Sequence, residues 1–228
     1  MTLLSVRNIA SFYGASQALF DVSLEAREGE VVALMGRNGM GKTTTIRAIC
    51  RLTPPQAGEI HFAGRKTDRM RPHQIARLGV GLVPEGRRCF PNLTVEENIK
   101  AAARSGRWTL QAVNTLFPRL ADRRNQLAAT LSGGEQQMLA IARALATNPK
   151  LIILDEATEG LAPVIRQDIW AAVKTLKGEG QSILIVDKTL SELLPVADHC
   201  VVLEKGRSVW TGSPDALDAD VQERYLGV

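Results

Sequence analysis

Aromatic residues are scarce: Phe, Trp and Tyr make up 4% of 228 positions, against 45% hydrophobic overall. Any core built from this chain is therefore aliphatic, which suits a parallel sheet of Val, Ile and Leu strands covered by helices. Cysteine is nearly missing as well. Cys50, Cys89 and Cys200 are odd in number, widely spaced and outside any metal-ligand pattern. That excludes a disulfide framework and reads as reduced small hydrophobes in a cytosolic setting. Long apolar runs are absent: those at 151–154 and 183–186 fall far short of the roughly 20 residues needed to cross a bilayer. The opening MTLLSVRNIA has no basic head followed by a long apolar stretch, so no signal peptide is expected. A membrane role would have to come through a partner. No segment interleaves basic residues with aromatics, and nucleic acid is not an expected partner. Lys plus Arg exceed Asp plus Glu by 28 − 24 = +4, which fits a phosphate ligand or an anionic membrane surface without choosing between them.

What is present is a single large domain, or one domain with an inserted lobe. There is no internal repeat. The first stretch reads as strands at 2–11, 22–26 and 30–35, punctuated by Gly14 and Gly29. A helix is expected from Lys42 to about Arg51, stopping before Pro54-Pro55. A short strand at 59–62 precedes a helix that opens on Pro72 and closes at Gly79. Another strand covers 79–83. Between Pro84 and Pro149 helical patterns dominate, with Thr94 and Glu97 forming a capping box. This region, residues 84–149, is expected to be an inserted helical lobe. From Lys150 the strands return as LIILD, SILIV, CVVLE and SVWTG. A helix carrying Ile165, Ile169, Val173 and Leu176 on one side lies between the first two, and that alternation implies parallel sheet with right-handed crossovers.

One motif carries explicit chemistry. Gly36, Arg37, Asn38, Gly39, Met40, Gly41, Lys42 and Thr43, followed by Thr44, match G-x-x-x-x-G-K-[ST] in full. Glycines let the backbone bend so that successive N–H groups point at phosphate oxygens. Lys42 would place a point charge on the outer phosphates, and the Thr43 hydroxyl is a hard oxygen ligand for Mg²⁺. The following helix would aim its positive end at the same anion. The plainer alternative is a glycine-rich turn with a surface lysine, but the flanking strand and helix oppose it.

Two further clusters gain meaning beside that loop. The apolar run 151–154 ends in Asp155-Glu156, at the strand edge where open α/β sheets bind ligands. Asp155 would hold Mg²⁺, through water, and Glu156 would polarise the water that attacks the terminal phosphate; the alternative is that the acids cap the next segment. At 131–137 the sequence reads LSGGEQQ. Ser132 with Glu135 is a capping box that accounts for both residues. Capping does not require Gly133 and Gly134, however, and backbone N–H groups exposed at a helix N-terminus make an anion site. The chain would then carry two phosphate-binding surfaces, the second needing a different phosphate.

GRNGMGKT, LSGGEQQ and LIILDE, in this order and spacing, resemble the ATP-binding-cassette ATPases, and the resemblance covers nearly the whole chain. It implies an α/β fold: a P-loop NTPase core with a mostly parallel sheet, an N-terminal antiparallel β lobe and an inserted α-helical subdomain. The core would comprise 1–83 and 150–228, the signature subdomain 84–149. It also implies that two cassettes pack head to tail, with ATP and Mg²⁺ between the phosphate loop of one and Ser132, Gly133 and Gly134 of the other. Glu156 and Lys42 would be the catalytic residues, with Thr43, Asp155 and Glu85 around the metal. Tyr13 matches the aromatic that stacks on adenine, unless it is an ordinary strand-end aromatic.

Three positions depart from the family pattern. Glu85 stands where most cassettes carry a glutamine that senses Mg²⁺ and the membrane subunit. Lys188 takes the place of the switch histidine; it can contact the γ-phosphate but cannot relay a proton, and the alternative is a solvated loop lysine. Ala162 replaces the usual Asp of the loop after Glu156. The segments VPEGRRCFPNLTVEEN and EGLAP resemble the second ATPase of branched-chain amino-acid importers, with urea and short-amide importers as near relatives. Expected partners are thus a second ATPase subunit, identical or related, integral-membrane permease subunits and, indirectly, a periplasmic or extracellular solute-binding protein. The expected location is peripheral, on the cytoplasmic face of the cell membrane. Competing readings are a non-transport cassette and a regulatory subunit that hydrolyses poorly.

Overall fold

A computed structural model describes residues 1–227. The chain runs β1 (Thr2–Tyr13), β2 (Ser16–Arg27), β3 (Val31–Met35), α1 (Lys42–Ile49), β4 (Ala57–Phe62), β5 (Arg65–Lys66), α2 (Pro72–Leu78) and β6 (Val80–Val83). It continues through α3 (Val95–Ala102), α4 (Leu110–Leu116), α5 (Pro118–Asp122), α6 (Gly133–Ala146), β7 (Leu151–Asp155), α7 (Pro163–Gly178), β8 (Ser182–Val186), α8 (Leu190–Leu193), β9 (His199–Glu204) and β10 (Arg207–Gly212).

The strands form one ten-stranded sheet in the order β5-β4-β1-β2-β10-β9-β3-β8-β7-β6. Its first half is antiparallel, β1 pairing with both β2 and β4. The other half is parallel: β3 lies between β8 and β9, and β7 between β8 and β6. The fold is therefore the α/β P-loop architecture with an antiparallel N-terminal lobe.

Strand periodicity explains why both faces are covered. Successive side chains point to opposite faces of a strand, and in β3 Val31, Ala33 and Met35 join one buried cluster while Val32 and Leu34 join the other. α1 and α2 close one face through Ile46, Ile49 and Ile75. α6 and α7 close the opposite face, and the helices of 84–149 continue that same cluster through Val95, Ile99, Val113, Phe117 and Leu120.

The strands of the N-terminal hairpin run longer than the sequence pattern indicates. β1 reaches Tyr13 and β2 starts at Ser16, because Gly14 at φ 59° closes a two-residue connection and lets pairing continue to Tyr13↔Ser16. α1 ends at Ile49, slightly before the expected Arg51. No helix of the described residues is long and apolar enough to cross a membrane.

Candidate functional site

β3 delivers the chain into a glycine-rich loop. Gly36, Gly39 and Gly41 all take positive φ, at 136°, 78° and 104°. A Cβ on Gly36 would lie 2.4 Å from the Leu203 carbonyl oxygen of β9, so only glycine fits there. Lys42, at the start of α1, is buried, and its Nζ donates to the Gly36 and Arg37 carbonyls at 2.7 and 3.1 Å. The ammonium thus lies across the hollow of the loop. Burial holds its pKa below the ordinary amine value, with Glu156 pulling the other way.

The carboxylates come from the end of β7. Asp155 is buried and its Oδ1 accepts from Thr43 Oγ1 at 3.3 Å. Burial raises its pKa, and the Thr43 hydrogen bond opposes the rise. Two hard oxygens so placed, beside a glycine cradle that a Cβ would fill, suit a Mg²⁺-triphosphate. Glu156 sits in the left-handed region at φ 51°, its N–H donating to the Val186 carbonyl of β8 at 2.9 Å. For a non-glycine residue that backbone is costly, and such residues cluster at functional sites. The acids do not cap α7, whose N-cap is Ala162 with no side-chain bond.

A cleft of about 570 Å³ joins these parts. Asn38, Gly39, Gly41, Lys42, Thr43 and Thr44 line one wall, and Glu85, Glu156, Glu159 and Lys188 the other. Glu85 also shares a neighbouring hollow with Thr43 and Asp155. Lys188 Nζ is 3.5 Å from Glu156 Oε2 and touches Glu159 Oε1. Burial, then the adjacent Glu159 carboxylate, push the Glu156 carboxyl up to about 7. The Glu159 contact raises the Lys188 pKa above the ordinary amine value.

Other sequence-derived residues lie apart. Tyr13 is exposed at the end of β1, its hydroxyl 3.5 Å from Thr44 Oγ1, at the rim rather than in the lining. Met40 packs against the core, its Sδ accepting from the Lys205 N–H at 3.1 Å. Ser132, Gly133 and Gly134 do not line the cleft. Ser132 caps α6: its Oγ accepts from the Glu135 N–H at 3.3 Å, and Glu135 Oε2 accepts from the Ser132 N–H at 2.9 Å. Each glycine also has a packing reason. A Cβ at Gly133 would meet Arg87 Nη1 at 2.0 Å, and one at Gly134 would meet Ile165 Cγ2 at 2.5 Å.

Two residues escaped the sequence reading. Glu159 stands in the quoted EGLAP segment without a role, although an acid three positions after Glu156 is a natural counterion for an unusual lysine. Arg87 follows Glu85 closely, but nothing in sequence announces that its guanidinium reaches the tip of α6.

Residues 19–159 match the family described as ABC transporter. Over 99% of this chain and all of the relative, the sequence is 42% identical to the high-affinity branched-chain amino acid transport ATP-binding protein BraG of Pseudomonas aeruginosa. It is 34% identical to the lipopolysaccharide export system ATP-binding protein LptB of Haemophilus influenzae, over all of this chain and 98% of that one. A solved dimeric ATP-binding cassette, in a post-hydrolysis state bound to ADP and Pi, matches with a TM-score of 0.80 and 26% identity across 93% of this chain and 99% of that one.

Proposed function

The chain belongs to the ABC transporter family, as an ATP-hydrolysing transporter subunit, and from that premise we propose that it powers import of branched-chain amino acids. The cleft that joins Lys42 and Thr43 to Glu156 carries the motor half of this reading. Full-length similarity to a branched-chain amino acid transport protein supports the substrate half.

Residue roles follow from chemistry and position. Residues 36–43 cradle the phosphates with backbone N–H groups, and Lys42 leaves its loop carbonyls for the β- and γ-phosphate oxygens. Thr43 and Asp155, with Glu85 beside them, would hold Mg²⁺, which would supply charge neutralisation on the outer phosphates. Glu156 orients the attacking water and accepts its proton; its backbone bond to Val186 fixes the carboxylate on the cleft wall. Lys188 offers the γ-phosphate a cation. Tyr13, at the rim, stacks on the adenine.

The signature residues need a second protomer. Ser132, Gly133 and Gly134 lie outside their own chain's cleft, so their helix tip serves a phosphate held by a neighbour. A dimeric cassette among the structural relatives supports that assembly. The pair, homodimeric or formed with a related ATPase, would bind integral-membrane permease subunits on the cytoplasmic face, a solute-binding protein delivering the amino acid from outside. Residues 84–149 act as the signature subdomain and the rest as the nucleotide-binding core. Deleting the gene should abolish high-affinity uptake of labelled leucine. Normal leucine uptake with loss of another solute would discard the substrate and keep the motor.

A further inference from the structure

We infer that Glu159 is a positioning residue that holds Lys188 at the cleft, so that its ammonium stands ready for the terminal phosphate. The inference rests on the ATPase reading above and concerns a residue which that reading leaves idle.

Lys188 Nζ contacts Glu159 Oε1 and lies 3.5 Å from Glu156 Oε2. Its side chain is 45% exposed, so burial does not hold it. A lysine carries a compact charge on a flexible four-carbon stem, and fixing that stem costs rotamer entropy. Without an anchor the ammonium would spend most of its time in solvent. Glu159 supplies that anchor from the loop after β7, itself tied to the loop after β8 where Thr158 Oγ1 donates to Asp187 Oδ2 at 2.5 Å. Asp187 is the immediate neighbour of Lys188. Two contacts, Thr158–Asp187 and Glu159–Lys188, therefore run in parallel between the same two loops and set where the ammonium stands.

Electrostatics agrees. Carboxylate oxygens of Glu85, Glu156 and Glu159 approach within 4.8 Å of one another. Lys188 is the cation between two of them, and the Glu159 contact holds it charged. Glu159 need not touch nucleotide. Apart from its effect on the adjacent Glu156 carboxyl, it acts through Lys188.

The test is a double-mutant cycle on purified protein, reading kcat and KM for Mg·ATP. Glu159→Gln keeps the shape and removes the charge; it should lower kcat about tenfold and leave KM within about twofold, because the phosphate loop still binds. Lys188→Gln should lower kcat at least as far. The double variant should be no slower than Lys188→Gln alone. Glu159→Asp, shorter but charged, should recover part of the loss. Unchanged or faster turnover in Glu159→Gln overturns the inference, as do losses that multiply in the double variant. Should Glu156→Gln also leave turnover intact, the ATPase assignment itself fails; should it abolish turnover while Glu159→Gln is silent, only the positioning role falls.

Discussion

The phosphate loop and the α6 tip use the same materials to opposite ends. Each places glycines and a hydroxyl residue at the N-terminus of a helix. At Gly36 the wall is backbone, the Leu203 carbonyl, whereas a Cβ at Gly41 would first meet the Leu19 side chain; Gly36, Gly39 and Gly41 all sit at positive φ. Around the α6 tip the walls are side chains, Arg87 over Gly133 and Ile165 over Gly134. The loop opens into a cleft with its own acids across from it; the tip does not. One region gathers its proposed partners within a single chain. The other packs against side chains and, in the proposed dimer, would meet a neighbour's phosphate. Catalytic loss should therefore follow from damage to either, but the larger loss of stability from damage to the first.

Glu156→Gln should give the largest effect. Removing the proposed base is expected to slow hydrolysis by about 10²–10⁴-fold while Mg·ATP binding persists, and dimers should accumulate by light scattering in saturating Mg·ATP. The same change should stabilise the protein measured without nucleotide. Glu156 titrates at about 7, above an ordinary carboxyl. Between those two values the folded chain keeps a proton that the unfolded chain has lost, so wild-type stability falls as pH rises through the window. Glutamine escapes that penalty. The gain in Tm should grow from about pH 4.5 to about pH 7 and then level off.

One substitution made in both regions tests the contrast directly. Gly36→Ala drives a Cβ into a carbonyl oxygen at φ 136°, and should cost on the order of 3 kcal/mol or more in urea unfolding. Gly133→Ala meets only the far end of Arg87, which can swing aside, and alanine favours a helix. Stability should stay within about 1 kcal/mol of wild type, while ATP-driven dimerisation and turnover fall. An unstable Gly133→Ala variant would break the distinction between backbone and side-chain walls.

How much of this was readable beforehand divides along the same line. LIILD reads as a strand buried on both faces because all its apolar positions are needed, and Leu151–Leu154 are indeed buried. The spacing of glycines before Lys42 reveals the loop because its constraint is local. The Thr94 and Ser132 caps are local too, and both form. By contrast, the contacts of Arg87 with Gly133 and of Glu159 with Lys188 join distant segments. No periodicity encodes them; they depend on which loops the sheet order brings together. Gly133 and Gly134 illustrate the point, since a motif that reads as an anion site also answers a packing demand from Arg87 and Ile165.

The smallest expected difference is the most discriminating. Thr94 and Ser132 make the same capping box: each Oγ accepts from an N3 backbone N–H at 3.2 or 3.3 Å, and each N3 glutamate accepts from the cap's N–H at 2.8 or 2.9 Å. Replacing either by alanine should cost about 1 kcal/mol of stability. Thr94 has no part in the proposed nucleotide sandwich, so Thr94→Ala should leave turnover at wild-type level below its melting range. Ser132→Ala loses the same cap and also the hydroxyl that, in the proposed dimer, would meet the neighbour's triphosphate. Its apparent affinity for Mg·ATP in dimer formation should weaken by about tenfold, the usual worth of one hydrogen bond to a charged group. Matched melting with split dimerisation would place the second phosphate surface at the α6 tip. Equal behaviour in both assays would leave LSGGEQQ as a helix start and nothing more.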